Sequence, residues 1–304
     1  MTPSDGPELP PPLRYGRNSG DEWVIGRTGE RFWGRFGAAG LMAVDPARGV
    51  LLQHRVGWSH HGGTWALPGG ARHEGESAVS AALREANEEA GVPAEGVRPW
   101  VTSVLDRGVW SYTTVVAAVT TPFRETISDP ESLELAWVPL DEVTHRSLHP
   151  GFARSWPGLL ALLDVRPVIV VDAANVVGAV PDGWWHDRAG AAARLLGRIA
   201  ALGADGVPAP DLDLPGTAWF PDWVVVLEGR AVAAESPVVD ALVHVEVVRA
   251  RGAGDDRVVE EVVRRREADR PVIVVTSDRG LAARVRGVGA SVRGAGWLLD
   301  RLGR

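Results

Sequence analysis

The chain has 304 residues, a formal net charge of −7 and no cysteine. That length suggests two domains, and the lack of cysteine excludes disulfides, zinc–thiolate sites and a cysteine nucleophile. The negative balance argues against nucleic-acid binding through overall charge, and no apolar run approaches the roughly 18–20 residues that span a bilayer.

The N-terminal stretch MTPSDGPELPPPLRYG is Pro-rich and polar, and residues 1–28 are expected to form a flexible arm. It lacks the apolar core of a signal peptide, so the expectation is a cytoplasmic chain with no membrane partner. A strand is expected over Gly37–Val44, a turn at Asp45-Pro46, and a short strand over Val50–His54. The loop VGWSHHGGTWALPGG follows, with two Gly pairs that allow close backbone approach or tight packing on the next helix. Its His60 and His61, with Trp58 and Trp65, are weak candidates for contacting a base or phosphate. Ordinary surface histidines and core packing are the blander readings in a chain with 13 tryptophans.

A helix is expected from Ser77, a plausible N-cap, to Ala90, with Gly91 as the C-terminal stop. Taking Val79 as zero and 100° per residue, Glu85, Glu88 and Glu89 fall at about 240°, 180° and 280°. Val79, Leu83, Ala86 and Ala90 fall at about 0°, 40°, 340° and 20°, so one face can enter a core while the other gathers like charges. Carboxylates at i, i+3 and i, i+4 destabilise an isolated helix. A hard divalent cation is the natural compensation. Strands over Trp100–Leu105, Trp110–Val119 and Leu135–Val138 complete an α+β pattern with a mixed sheet.

Gly70, Glu76, Arg84-Glu85, Glu88-Glu89 and Gly91 reproduce the spacing G-x5-E-x7-R-E-U-x-E-E-x-G-U, with Ala86 and Val92 at the apolar U positions. In this respect residues 30–150 resemble the Nudix hydrolases. The resemblance implies a Nudix α/β/α sandwich over 29–165 and hydrolysis of a nucleoside diphosphate linked to another moiety. It implies Mg2+ or Mn2+ held by Glu85, Glu88, Glu89 and the Gly70 carbonyl, with Arg84 bracing the carboxylates. Glu85 is the candidate general base, Glu134 a possible extra ligand or base, and Glu76 structural. A small nucleotide is the expected substrate, and a homodimer a possible state.

Past a Pro- and Gly-containing joint, Thr144–Arg166, the apolar β-branched run VIVVD is what a buried parallel strand looks like. Helices over Asp187–Leu202, Asp256–Glu267 and Gly280–Arg286 alternate with strands over Trp223–Leu227, Leu242–Val248 and Val272–Thr276. Residues 166–304 thus read as a Rossmann-like doubly wound domain. Asp172, Asp255-Asp256 and Asp278 sit at strand ends or helix starts, which converge on one edge of a parallel sheet. One or two divalent metals could sit there and activate water. The alternative reading gives these residues capping and turn roles. VVDAANVV, GAGDD and VVTSDRGL resemble the NYN branch of the PIN-like nucleases. That resemblance implies an active site of Asp172, Asn175, Asp255 or Asp256, and Asp278, with Ser277 assisting, Asp187 as a guess for a further acid, and RNA as substrate. Arg251, Arg257 and the Arg264-Arg265-Arg266 run could track a phosphate backbone, but Glu260 and Glu261, four residues before Arg264 and Arg265, suit helix ion pairs. Two classes remain open: a metal-dependent hydrolase with an appended nuclease, or a nucleotide-sensing or RNA-binding protein without turnover.

Overall fold

The computed structural model describes residues 19–59, 61–128, 130–236 and 243–303. Backbone contacts divide the chain into two units. One runs up to Val97 and includes Ser103–Leu160; the other takes Arg98–Thr102 and everything from Ala161 on.

The first unit begins with a hairpin of β1 (Trp23–Ile25) and β2 (Arg31–Trp33), paired antiparallel as a sheet of their own. Of the arm expected over 1–28, residues 1–18 lie outside the described residues, and the rest is not loose: Trp23–Ile25 is a strand. Its ring packing supplies the reason. Trp23 meets Trp33 edge-on at 5.1 Å, and Phe32 stacks on Trp110 at 4.8 Å. The main strands are β3 (Ala38–Asp45), β4 (Gly49–Arg55), β5 (Trp65–Ala66), β6 (Gly69–Ala71), the ends of β7 (Val97–Asp106), whose Arg98–Thr102 count with the other unit, β8 (Ser111–Val119) and β9 (Ser132–Val138). β3 is central: it runs parallel to β8 and antiparallel to β4 and β6, and β4 also pairs with β5 and β9. The sheet is therefore mixed, and Ala38–Ala43 of β3 are all buried.

α1 (Ala78–Ala90) packs on β3 and β6, and α2 (Pro150–Leu160) closes the unit. The α1 caps match the expectation. Ser77 Oγ accepts the Ser80 N–H at 3.0 Å, and Gly91 turns left-handed at φ 65°, its N–H returning to the Asn87 carbonyl at 3.0 Å and the Val92 N–H to the Ala86 carbonyl at 3.2 Å. Only glycine adopts that conformation at little cost.

In the second unit β10 (Val168–Asp172) is followed by α3 (Ala173–Gly178) and α4 (Arg188–Asp205). The stretch expected as plain loop holds short elements: β11 (Val207–Pro208), α5 (Ala209–Leu212) and β12 (Ala218–Trp219). Then come β13 (Asp222–Leu227), β14 (Val245–Arg249), α6 (Gly254–Arg266), β15 (Val272–Val275), α7 (Arg279–Gly287), β16 (Ser291–Arg293) and α8 (Ala295–Arg301). Leu242, where the third of these strands was expected to start, lies outside the described residues. The sheet order β14-β13-β10-β15-β16 is parallel throughout. Valines of β10, β13 and β15 form one core with Val258 and Val262 of α6 and Leu281 and Val285 of α7. The chain order reverses between β10 and β15, so the crevice for a ligand in such a sheet opens at their carboxyl ends.

The arginine run of α6 is engaged locally. Glu261, 1% exposed, takes Arg257 at 2.7 Å, Arg264 at 2.7 Å and Arg265 at 3.2 Å, and Glu246 takes Arg264 and Arg265 as well. Removing the buried anion strands several guanidinium groups. Glu261→Ala is therefore expected to lower stability by about 3–5 kcal/mol, read as a shift of the urea midpoint; a midpoint within error of the parent would contradict the buried-network account.

Candidate active site

The Gly69-Gly70 strand, β6, lies across the carboxylate helix and decides its electrostatics. Glu89 Oε2 accepts the Gly69 N–H at 2.8 Å. A Cβ on Gly70 would sit 2.7 Å from the Glu85 carboxyl carbon, so the bare backbone of Gly70 makes room for that carboxylate. The helix arithmetic put all three acids together on the face opposite the apolar one. The structure adds that Glu89 is buried at 7% exposure, beneath the β6 backbone that donates to it. Glu85 is nearly covered as well, and Glu88 is exposed.

Arg84 braces the cluster. Its guanidinium reaches both Glu76 oxygens at 2.9 and 3.0 Å, Glu85 at 2.8 Å, Glu88 at 3.3 Å and the Ala71 carbonyl at 3.0 Å. Burial raises the Glu85 carboxyl to about 7 against the pull of Arg84. Burial and then the Glu85 charge push Glu89 well above its ordinary range, against the Gly69 N–H and the more distant Arg55. Glu76 is lowered, because its bonds to Arg84 and the His73 N–H outweigh its own burial.

Tyr112 also belongs here. Its buried phenol is raised by desolvation and by the charges of Glu89 and Glu85. It can occupy this place only because β3 carries glycine: a Cβ on Gly40 would lie 2.0 Å from the Tyr112 oxygen. Nothing in the spacing of the helix pointed to Tyr112, since it comes from β8, two strands' pairing away in sequence. Glu131 is a second residue of this kind. It lines the same cavity and adds to the negative field on Glu89.

The cavity has a volume of about 960 Å3, at the top of the range for small-molecule sites. Glu85, Glu88, Glu89, Arg84 and Gly70 line it. His61 and Trp58 do so too, and His61 meets His149 edge-on at 4.8 Å. Trp65 is buried, stacked on His54 at 4.8 Å with Arg146 over its ring, which is core packing. Glu134 is exposed and faces His54 across the β4–β9 ladder, outside the cavity lining. His60 lies outside the described residues.

Among the described residues no group of three or more His, Asp or Glu side chains stands assembled to hold a metal ion. The chemistry of the donor set nevertheless fits one. Glu85, half-buried, and Glu89, buried, are neighbouring carboxylates whose ionisation the surrounding protein disfavours, and every donor is an oxygen, which suits a hard divalent cation. Glu85 and Glu89 would be the buried ligands and Glu88 the exposed one.

A family model described as NUDIX domain matches residues 34–158. The chain is 47% identical over 153 residues to "Putative 8-oxo-dGTP diphosphatase 3" of Mycobacterium tuberculosis, covering 47% of this chain and 70% of that protein. The chain belongs to the Nudix family. It is a Nudix-type pyrophosphohydrolase, an enzyme acting on acid anhydrides. It is also 40% identical over 162 residues to a "Nucleoside triphosphate pyrophosphatase/Nudix hydrolase fusion protein" of Bifidobacterium longum, covering 51% of this chain and 34% of that one. Among solved structures it is similar to a Nudix hydrolase of M. smegmatis, RenU, with 49% identity, a TM-score of 0.44, and coverage of 47% of this chain and 94% of that one. No helix among the described residues is long and apolar enough to cross a membrane.

The second unit gathers acids at the carboxyl ends of β10, β13 and β15. Asp172 accepts the Thr276 hydroxyl at 2.9 Å and the Asn175 N–H at 3.2 Å. Asn175 Oδ1 in turn accepts the Ser277 N–H at 2.7 Å, and Ser277 Oγ accepts the Ala295 N–H at 3.0 Å. Burial raises Asp172, with Asp255 and Glu228 adding to it. Asp255 is raised by burial, by Asp278 and by Glu228, against Arg284. Asp172, Glu228, Asp255 and Asp278 therefore share one field. Asp172 and Asp278 also cap α3 and α7, so capping and clustering coexist. Asp256 instead pairs with Arg284 at 2.6 Å in the open. Asp187 caps α4, so its carboxylate is spent on the Gly190 N–H at 2.8 Å. Glu228, just past β13, is the acid that sequence reasoning missed. It accepts the Gly254 N–H at 2.7 Å, and its position emerges only once β13 is seen beside β10.

The buried pair in the first unit has a consequence for stability. A carboxyl raised above its unfolded value favours folding at low pH and loses that contribution as pH rises through the folded value. For Glu85, raised to about 7, the loss falls between about pH 4.5 and 7. The metal-free protein is expected to lose thermal stability across that window and beyond it. Glu85→Gln should restore a few degrees of Tm at pH 8. Calorimetry in chelator checks this, and a variant with lower Tm than the parent at pH 8 would refute it.

Proposed function

We propose that the first unit hydrolyses the diphosphate bond of a nucleoside 5′-phosphate derivative with Mg2+ or Mn2+, and that 8-oxo-dGTP is the substrate to test first. The observation that carries this is the pair Glu85 and Glu89, braced by Arg84, lining one cavity together with aromatic and guanidinium groups. The relative's name adds support for the nucleotide. A bound divalent cation neutralises phosphate charge and lowers the pKa of a water. Arg84, anchored on both oxygens of Glu76, donates to Glu85 and holds it at the cavity, where Glu85 is the candidate to take the proton of the attacking water.

The test is a nucleotide panel of 8-oxo-dGTP, dNTPs, ADP-ribose, NADH and dinucleoside polyphosphates, with Mg2+ or Mn2+. Glu89→Gln is expected to cut kcat by more than about 100-fold, beyond the 10–100-fold typical of residues one layer further out. No turnover of any member by the parent would overturn the reading.

For the second unit we propose a PIN-like, NYN-type ribonuclease domain occupying about 166–304. What favours it is the shared field of Asp172, Glu228, Asp255 and Asp278 at the switch between β10 and β15. Such a cluster suits metal-activated water attacking a phosphodiester. Asp172→Asn and Glu228→Gln are each expected to abolish Mn2+-dependent cleavage of single-stranded RNA; undiminished cutting by Asp172→Asn would refute the assignment.

A further inference from the structure

The hairpin β1–β2 ends just before the residues shared with the family model, yet Trp23, Arg31, Phe32 and Trp33 line the same cavity as the carboxylates. It is held as a built wall. The Trp110 indole N–H donates to the Trp33 carbonyl at 3.0 Å, and Phe32 lies on the Trp110 ring at 4.8 Å and 12°. From Trp110 the row continues to Tyr112, 6.3 Å away between ring centres. Tyr112 stands in the field of Glu85 and Glu89. A ladder of rings thus leads from the diphosphate-cleaving carboxylates to the hairpin.

The opposite side of the cavity is built differently. In sheet order β8 and β4 flank β3 on either side, so Trp110 before β8 and His61 after β4 lie on opposite sides of the central strand. There His61 and His149 meet edge-on, and Phe152 is buried against Trp156 within α2. The hairpin side instead offers Phe32 and Trp110 already stacked face to face, a pair whose outer ring face can take a planar heteroaromatic base.

We infer that the β1–β2 hairpin is the base-recognition wall of the enzyme, with Phe32, backed by the Trp110 ring, stacking the nucleobase on its other face while its phosphates lie at Glu85, Glu88 and Glu89. This rests on the hydrolase reading above for the identity of the phosphate end. Stacking reads a π-face and no particular hydrogen-bond edge, so the wall selects nucleotides over base-free polyphosphates and discriminates weakly among bases.

The test is equilibrium binding by the full chain with Mg2+, followed by tryptophan fluorescence. The probes are the α,β-methylene analogue of dGTP and inorganic tripolyphosphate. The parent is expected to bind the nucleotide at least about tenfold more tightly than tripolyphosphate. Phe32→Ala, and Phe32→Leu, which keeps bulk but has no ring, should bring that ratio close to one, whereas Phe32→Tyr should keep it. A parent that binds both probes equally, or a Phe32→Leu variant with the parental ratio, would overturn the proposal. A failure of the hydrolase reading looks different: tight, ring-dependent nucleotide binding with no turnover.

Discussion

Two carboxylates buried side by side cannot both be ionised at low cost unless a cation joins them. Everything around Glu85 and Glu89 serves that constraint. The helix presents them one turn apart, β6 crosses above them with two glycines, and β3 carries Gly40 so that the Tyr112 phenol can stand nearby. Arg84 supplies a permanent positive charge, but it is shared among Glu76, Glu85 and Glu88, so it stabilises the rim and leaves the interior undercompensated. The metal-free protein therefore holds a site that is electrostatically strained. On the proposed reading the same strain would favour a hard cation, a trade between stability and function that active sites commonly make.

The second unit reaches a related result by a different route. Its acids come from four separate chain segments and meet only because the parallel sheet brings strand ends and helix starts to one edge. Here the cluster is less buried, and hydrogen bonds from Thr276, Asn175 and Gly254 hold individual carboxylates in place. The first site is thus a property of one helix and its cover strand; the second is a property of the topology.

That difference explains what could be read from the sequence. The carboxylate helix was legible because caps, periodicity and acid spacing all lie within Gly70–Val92, and local rules govern them. The burial of Glu89 was not, since it depends on β6 folding back over the helix. Glu228 was hidden for the same reason: after VVVL, a Glu-Gly pair reads as a turn, and only the pairing of β13 with β10 sets it beside Asp172. The β1–β2 hairpin escaped notice because its strands are three residues each and gain their order from tryptophan packing. With 13 tryptophans in the chain, no single one carried a signal.

The arginines show how a compositional bias is resolved by geometry. With no lysine, every cationic role falls to a guanidinium, so an Arg cluster by itself carries little information. Arg264 and Arg265 turn out to neutralise Glu261 and Glu246. An arginine with two or three carboxylate partners has little charge left for a phosphate backbone. Arg84 shows the other use of the same chemistry. Its planar fork spans Glu76 and Glu85 together, which a point-charge ammonium would do less well, and that bidentate hold is what orients the carboxylate facing the cavity. Within one chain, then, the same residue type neutralises a buried anion in α6 and aims one in α1. What separates the two is whether the partner carboxylate opens onto a cavity: Glu261 is sealed at 1% exposure, and Glu85 lines the space where a nucleotide would lie.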